Sequence, residues 1–201
     1  MRRVPTPHFV PAKMRKAWVV RCGVFLCFTA LLGFAQEYSQ TRLAVGIVTR
    51  TPGELVSVPV YFTPAENAQM GQVEADLTFP KSALEFTGVE IAPLFKEQGG
   101  AIQASLQESP GEPGKSVVRW RVGPESKEKP TALSAGIIAY FTFQIAADAE
   151  LDSRLALKNE NVVVWDLNDP PKKISAVQSF EGVITVSSVE APVAACFFYM
   201  H

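Results

Sequence analysis

Histidine and cysteine are nearly missing from this 201-residue chain, and the few present stand outside its body. His8 lies near the start and His201 is the last residue, while Cys22 and Cys27 fall within residues 1–35 and Cys196 sits close to the end. Residues 36–187 contain neither type. That removes Ser–His–Asp and Cys–His nucleophilic catalysis and leaves no ordinary zinc ligand set. Once residues 1–35 are removed only Cys196 remains, so no intramolecular disulfide is expected. Long apolar runs are also lacking. The longest, Cys22–Ala35, falls short of the roughly 20 residues a helix needs to cross a bilayer. Beyond that run no stretch shows a helical period of 3.6, and there is no internal repeat.

Acidic residues are absent from residues 1–35, whereas Arg2, Arg3, Lys13, Arg15, Lys16 and Arg21 make a basic start. The apolar run ends in Gly33-Phe34-Ala35, with small residues at the −3 and −1 positions of a cut before Gln36. Residues 1–35 are therefore expected to be a signal peptide, with an uncleaved amphipathic anchor as the alternative. The protein is expected to be secreted, extracellular or periplasmic, with no transmembrane segment after removal. The cut takes away six of 19 basic residues and none of 20 acidic ones, leaving a formal charge of −7. That sign is wrong for holding phosphate backbones, so nucleic acid is not an expected partner.

What is present from residue 36 onward is a series of short alternating segments broken by Gly, Pro and polar clusters, the pattern of an antiparallel all-β domain. Leu43–Val48 reads as a first strand and Thr51-Pro52-Gly53-Glu54 as a turn. Val56, Val58, Val60 and Phe62 share one face of the next strand. Pro59 makes it an edge strand or one with a local break. In the segment from Gln72 to Phe79, residues Val73, Ala75, Leu77 and Phe79 point inward, and Gln72, Glu74, Asp76 and Thr78 outward. Further strands are read at Leu84–Ile91, Ala101–Gln107, Ser116–Val122 and Gly136–Ile145, the last with Ile137, Ala139, Phe141, Phe143 and Ile145 as its inner row. Leu155–Trp165 is read as two short strands around Asn159–Asn161, and Gly182–Ser187 closes the domain. The expected architecture is a jelly-roll-like antiparallel β-sandwich of about nine strands over residues 43–187, after a short linker at 36–42 and before a tail at 188–201.

In this order the segments resemble a cohesin domain. VGIVTRTPGELVSVPVYF, from Val45, is similar to the family's opening strand, Pro-Gly turn and Val-x-Val-Pro-Val strand. QVEADLTFPKSALEFTGVEI, from Gln72, resembles the next segment, with Phe79-Pro80-Lys81 where the family usually has Tyr-Asp-Pro. GIIAYFTFQIA and GVITV resemble a late and the closing strand. The resemblance implies a sandwich that captures dockerin modules of other proteins in a polysaccharide-degrading setting. Related sandwiches bind carbohydrate directly. It also implies that Gln72 and Glu74 occupy partner-contacting positions. No Asp-x-Asn-x-Asp-Gly calcium loop occurs in this chain, so a dockerin-like partner would be another chain.

The candidate sites follow from this phase. Gln72, Glu74 and Asp76 form an outward acidic stripe, either a solvated face or a recognition surface built on charge-assisted hydrogen bonds. Arg119 and Arg121 alternate with inward Trp120, on a sheet that the sequence leaves open. Trp165 borders a polar loop, where an exposed ring would stack on a sugar or a partner side chain. Tyr61 and Tyr140 fall on outer rows. Asp166-Leu167-Asn168-Asp169 resembles a fragment of a calcium loop but lacks the glycine and distal glutamate of an EF-hand. Glu85 and Glu90, five apart, are placed on opposite faces, so no convergent carboxylate pair suits glycoside cleavage. The expectation is a non-catalytic binding module without cofactor or metal, engaging a dockerin-like chain or a polysaccharide. A purely structural sandwich is the remaining alternative.

Overall fold

The computed structural model describes residues 40–109, 112–125, 132–174 and 176–188. The expected signal peptide, Pro110-Gly111, part of the expected loop at 123–134 and the tail with Cys196 lie outside the described residues.

Strands with one apolar face must cover it, and here two sheets do so. The elements are β1 (Thr41–Val45), β2 (Ile47–Arg50), β3 (Leu55–Thr63), β4 (Met70–Pro80), β5 (Leu84–Ile91), helix α1 (Pro93–Glu97), β6 (Gly100–Glu108), β7 (Lys115–Pro124), β8 (Gly136–Ile145), β9 (Arg154–Asp166), β10 (Lys173–Ile174), β11 (Val177–Phe180) and β12 (Gly182–Val186). One sheet has the order β11-β1-β3-β8-β5, and the other β2-β12-β9-β4-β7-β6, with β10 paired to β9. Among the described residues no helix is long and apolar enough to cross a membrane.

The expected inner rows of β3, β4 and β7 are buried between the sheets, as are Ala139, Phe141, Phe143 and Ile145 of β8. Aromatic rings join the layers. Phe79 of β4 meets Phe143 of β8 edge-on with centroids 5.1 Å apart, and Trp120 of β7 meets Phe141 of β8 at 5.6 Å. Each such side chain contributes roughly 1.5–3 kcal/mol by leaving water.

Irregularities account for the departures from simple alternation. The expected first strand is two strands, because the chain leaves one sheet for the other at Gly46. Its N–H donates to the Pro59 carbonyl at 2.8 Å in the first sheet, and its carbonyl accepts from Val183 N–H at 3.3 Å in the second. Pro59 therefore sits in a central strand, where its missing donor faces the point at which β1 ends. The local break is real and adjacent, since the β3–β8 register shifts between Val60 and Tyr61. The same shift turns Ile138 into the core in place of Ile137. Leu155–Trp165 belongs to one continuous strand, β9. Its register with β4 shifts between Glu74 and Asp76, and Asn161 takes a left-handed φ of 51°. In β5 a shift between Phe86 and Gly88 sets Glu85 opposite Gln144 and Glu90 opposite Tyr140. Those partners lie four apart on β8, so both glutamates share one exposed outer face rather than opposite ones.

The segment β11–β12 repeats the corner made by β1–β2. It pairs in parallel with β1 in one sheet and with β2 in the other. The two corners touch, and a Cβ on Gly182 would lie 2.4 Å from Val45 Cγ1 and 2.5 Å from the Gly46 carbonyl oxygen. Only residues without side chains allow that approach.

Candidate functional site

The outer surface of the larger sheet is where the outward row of β4 meets its neighbours. β4 lies between β7 and β9, antiparallel to both. Opposed residues in such a ladder point to the same side. Gln72 therefore stands beside Trp165 of β9, and Glu74 beside Val163 of β9 and Arg121 of β7. One strand further, Gln103 and Ser105 of β6 stand beside Arg121 and Arg119. The surface grades from an apolar part, Trp165 and Val163, through the polar pair Gln72 and Glu74, to the exposed cations Arg119 and Arg121. Between β4, β6 and β7 it dips into a shallow open trough of about 570 Å³.

Hydrogen bonds hold this face in order. Gln72 Nε2 donates to Glu74 Oε1 at 2.6 Å, and an Arg121 guanidinium nitrogen to Gln103 Oε1 at 2.8 Å. Asp76 is not an exposed member of an acidic stripe. It is only 7% exposed, because bulged β9 crowds it on one side and β7 on the other. Its carboxylate accepts from Arg119 Nε at 2.9 Å and from Asn161 Nδ2 at 2.9 Å. The Arg119 guanidinium, outweighing the opposing effect of burial and aided by Asn161, holds the Asp76 carboxyl below its usual pKa. Asp76 thus sets the geometry of the face, and Gln72 and Glu74 remain the accessible acceptors and donors.

Trp165 is half-buried and on the same face as Gln72, with its indole nitrogen turned into the protein. Trp120 is core, 1% exposed, in accordance with its phase. Asn161 and Gln103 had no signal of their own in the sequence. The first depends on a bulge, and the second on which strand pairs with β7. Arg119 and Arg121 were legible as an outward pair, but not as neighbours of Glu74.

Asp166 serves its own loop. Its carboxylate accepts from Lys172 N at 2.7 Å and Asn168 N at 3.2 Å, and also from the Asn168 side-chain amide. The Lys172 N–H bond, ahead of the Asn168 bonds, lowers its pKa. Among the described residues no group of three or more His, Cys, Asp or Glu side chains is placed to hold a metal ion.

The sequence model of the cohesin-domain family matches residues 41–186. The chain belongs to the cohesin family. Solved cohesin structures share its fold. The seventh ScaB type I cohesin from Pseudobacteroides cellulosolvens is 19% identical, with a TM-score of 0.58 over 77% of this chain and 96% of its own. The sixth cohesin of scaffoldin B from Acetivibrio cellulolyticus, solved in complex with a dockerin, is 16% identical, with a TM-score of 0.56 over 74% and 99%. A non-cellulosomal cohesin from the archaeon Archaeoglobus fulgidus is 19% identical, with a TM-score of 0.54 over 75% and 94%. No curated protein matches this cohesin chain.

Proposed function

We propose that this cohesin domain is a secreted, non-catalytic module that receives a dockerin-like module of another chain on the outer face of its larger sheet, in a polysaccharide-binding or polysaccharide-degrading setting. The observation that carries the reading is the composition of that face. Hydrogen-bonding side chains at Gln72, Glu74, Arg119 and Arg121 lie beside an apolar part at Trp165 and Val163, all on a rigid central ladder. A broad, shallow surface of this kind suits a protein partner, where desolvated charge-assisted hydrogen bonds surround a small apolar centre. The dockerin complex solved for a similar fold supports the partner class. Secretion rests on the basic and apolar leader.

A pull-down with the processed protein tests the reading. Glu74→Lys is expected to weaken a captured dockerin-like polypeptide at least tenfold, about 1.4 kcal/mol. Retention on insoluble glucan, abolished by Trp165→Ala while Glu74→Lys has no effect, would replace it with direct sugar binding. Capture of no dockerin-bearing chain and no glucan would leave a structural sandwich.

A further inference from the structure

The two long sides of the sandwich are built differently. On one, the β1–β2 and β11–β12 segments cross between the sheets and close the gap. On the other, β5 and β6 are the terminal strands of their sheets. An exposed strand edge is a template for another strand unless something spoils it. The register shift between Phe86 and Gly88 spoils β5. Among the described residues β6 has no such shift; α1 lies against its start, where Gly100 is buried beside Phe95, and the strand is uncovered from Gln103 onward. It is nine residues long, pairs with β7 in unbroken register along its whole length, and contains no Pro, Lys or Arg. Its only charge is the terminal Glu108. Residues Gln103 to Glu108 are all exposed. Leu106, opposite core residue Val118 and so on the inward row, is 55% exposed. Among the described residues no strand pairs with the free side of β6.

We propose that β6 pairs antiparallel with β6 of a second copy of this chain, about a two-fold axis at Ala104. Parity and length select this register. With Ala104 opposite itself, every residue of the strand finds a partner: Ile102 faces Leu106, Gln103 faces Ser105, Ala101 faces Gln107 and Gly100 faces Glu108. A one-residue slip sets inward residues against outward ones, and a two-residue slip gives up two pairs. No like charges are opposed. The inward rows of the copies become continuous, and Ile102 of the second copy covers Leu106. Because opposed residues point to the same side, the outer faces of the two larger sheets form one surface. The dimer therefore presents two recognition faces side by side, suited to a bivalent partner. The pairing does not depend on what those faces bind.

Sedimentation velocity of the processed protein, from micromolar to millimolar concentration, tests the proposal. The expected result is a species of twice the chain mass. Ala104→Lys places two like charges at the axis and is expected to weaken association at least tenfold while the β-type circular dichroism is retained. A charge-swap pair tests whether the outward rows of the two β6 strands face each other. A chain with Gln103→Glu and Ser105→Glu, and another with Gln103→Lys and Ser105→Lys, should each be monomeric alone and dimerise when mixed. A parent that stays monomeric throughout overturns the proposal. So does association that survives Ala104→Lys, or a charge-swap mixture that stays monomeric.

Discussion

At the scale of single residues, Asp76 shows how a buried carboxylate can organise a surface. Its oxygens are taken by Arg119 and Asn161, so the guanidinium is fixed beside Glu74 and the bulge of β9 is pinned to β4. Hydrogen bonds to charged groups contribute about 1.5–3 kcal/mol, and Asp76→Asn is expected to cost roughly that much at neutral pH in urea unfolding. The pH dependence has a definite sign. Arg119, then Asn161, lowers the folded-state pKa of Asp76, so the unfolded chain takes up its proton first as the solution is acidified. The stabilisation is present in full above the ordinary aspartate value near 4 and fades as pH falls through the lowered one. Urea midpoints measured from about pH 5 down to pH 2 should therefore decline less steeply in Asp76→Asn than in the parent. Equal slopes would mean that the pair contributes nothing to acid stability.

At the scale of elements, the paired corners at Gly46 and Gly182 decide how strands pass between sheets. A methyl group at Gly182 would meet backbone as well as side chain, and backbone cannot swing aside. Gly182→Ala is expected to destabilise by about 1–3 kcal/mol, as overpacked sites do. Gly88 offers the control, because nothing lies within 4 Å of a Cβ added there. Gly88→Ala should shift stability by no more than about 0.5 kcal/mol. Thermal melts of the two variants, side by side, separate crowding at the corner from the general loss of a strand glycine. Bulges matter at this scale too. The extra residue in β9 brings Asn161 onto Asp76, and the one in β5 moves Glu90 onto the face of Glu85.

At the scale of the whole molecule, one core serves both sheets, and Phe141 is central to it. It is fully buried, in edge contact with Trp120 and near Phe86. Phe141→Asp would place an unpaired charge among apolar groups, which the folded state cannot offset. The expected outcome is loss of cooperative unfolding and of the β-type circular dichroism. A variant melting within a few degrees of the parent would show that Phe141 does not face the core.

Much of this was written into the alternation of side chains. The inner rows of β3, β4 and β7, the core position of Trp120, the sandwich itself and the outward placement of Gln72 and Glu74 all follow from a period of two. An apolar row has only one way to leave water, and local pattern is enough to predict it. The burial of Asp76, the joining of Trp165 to Gln72 and of Arg121 to Glu74, the corner at Gly46 and the free edge of β6 were decided only in three dimensions. They depend on which strands become neighbours and on single inserted residues that shift register, and neither leaves a mark in the sequence of one strand read alone.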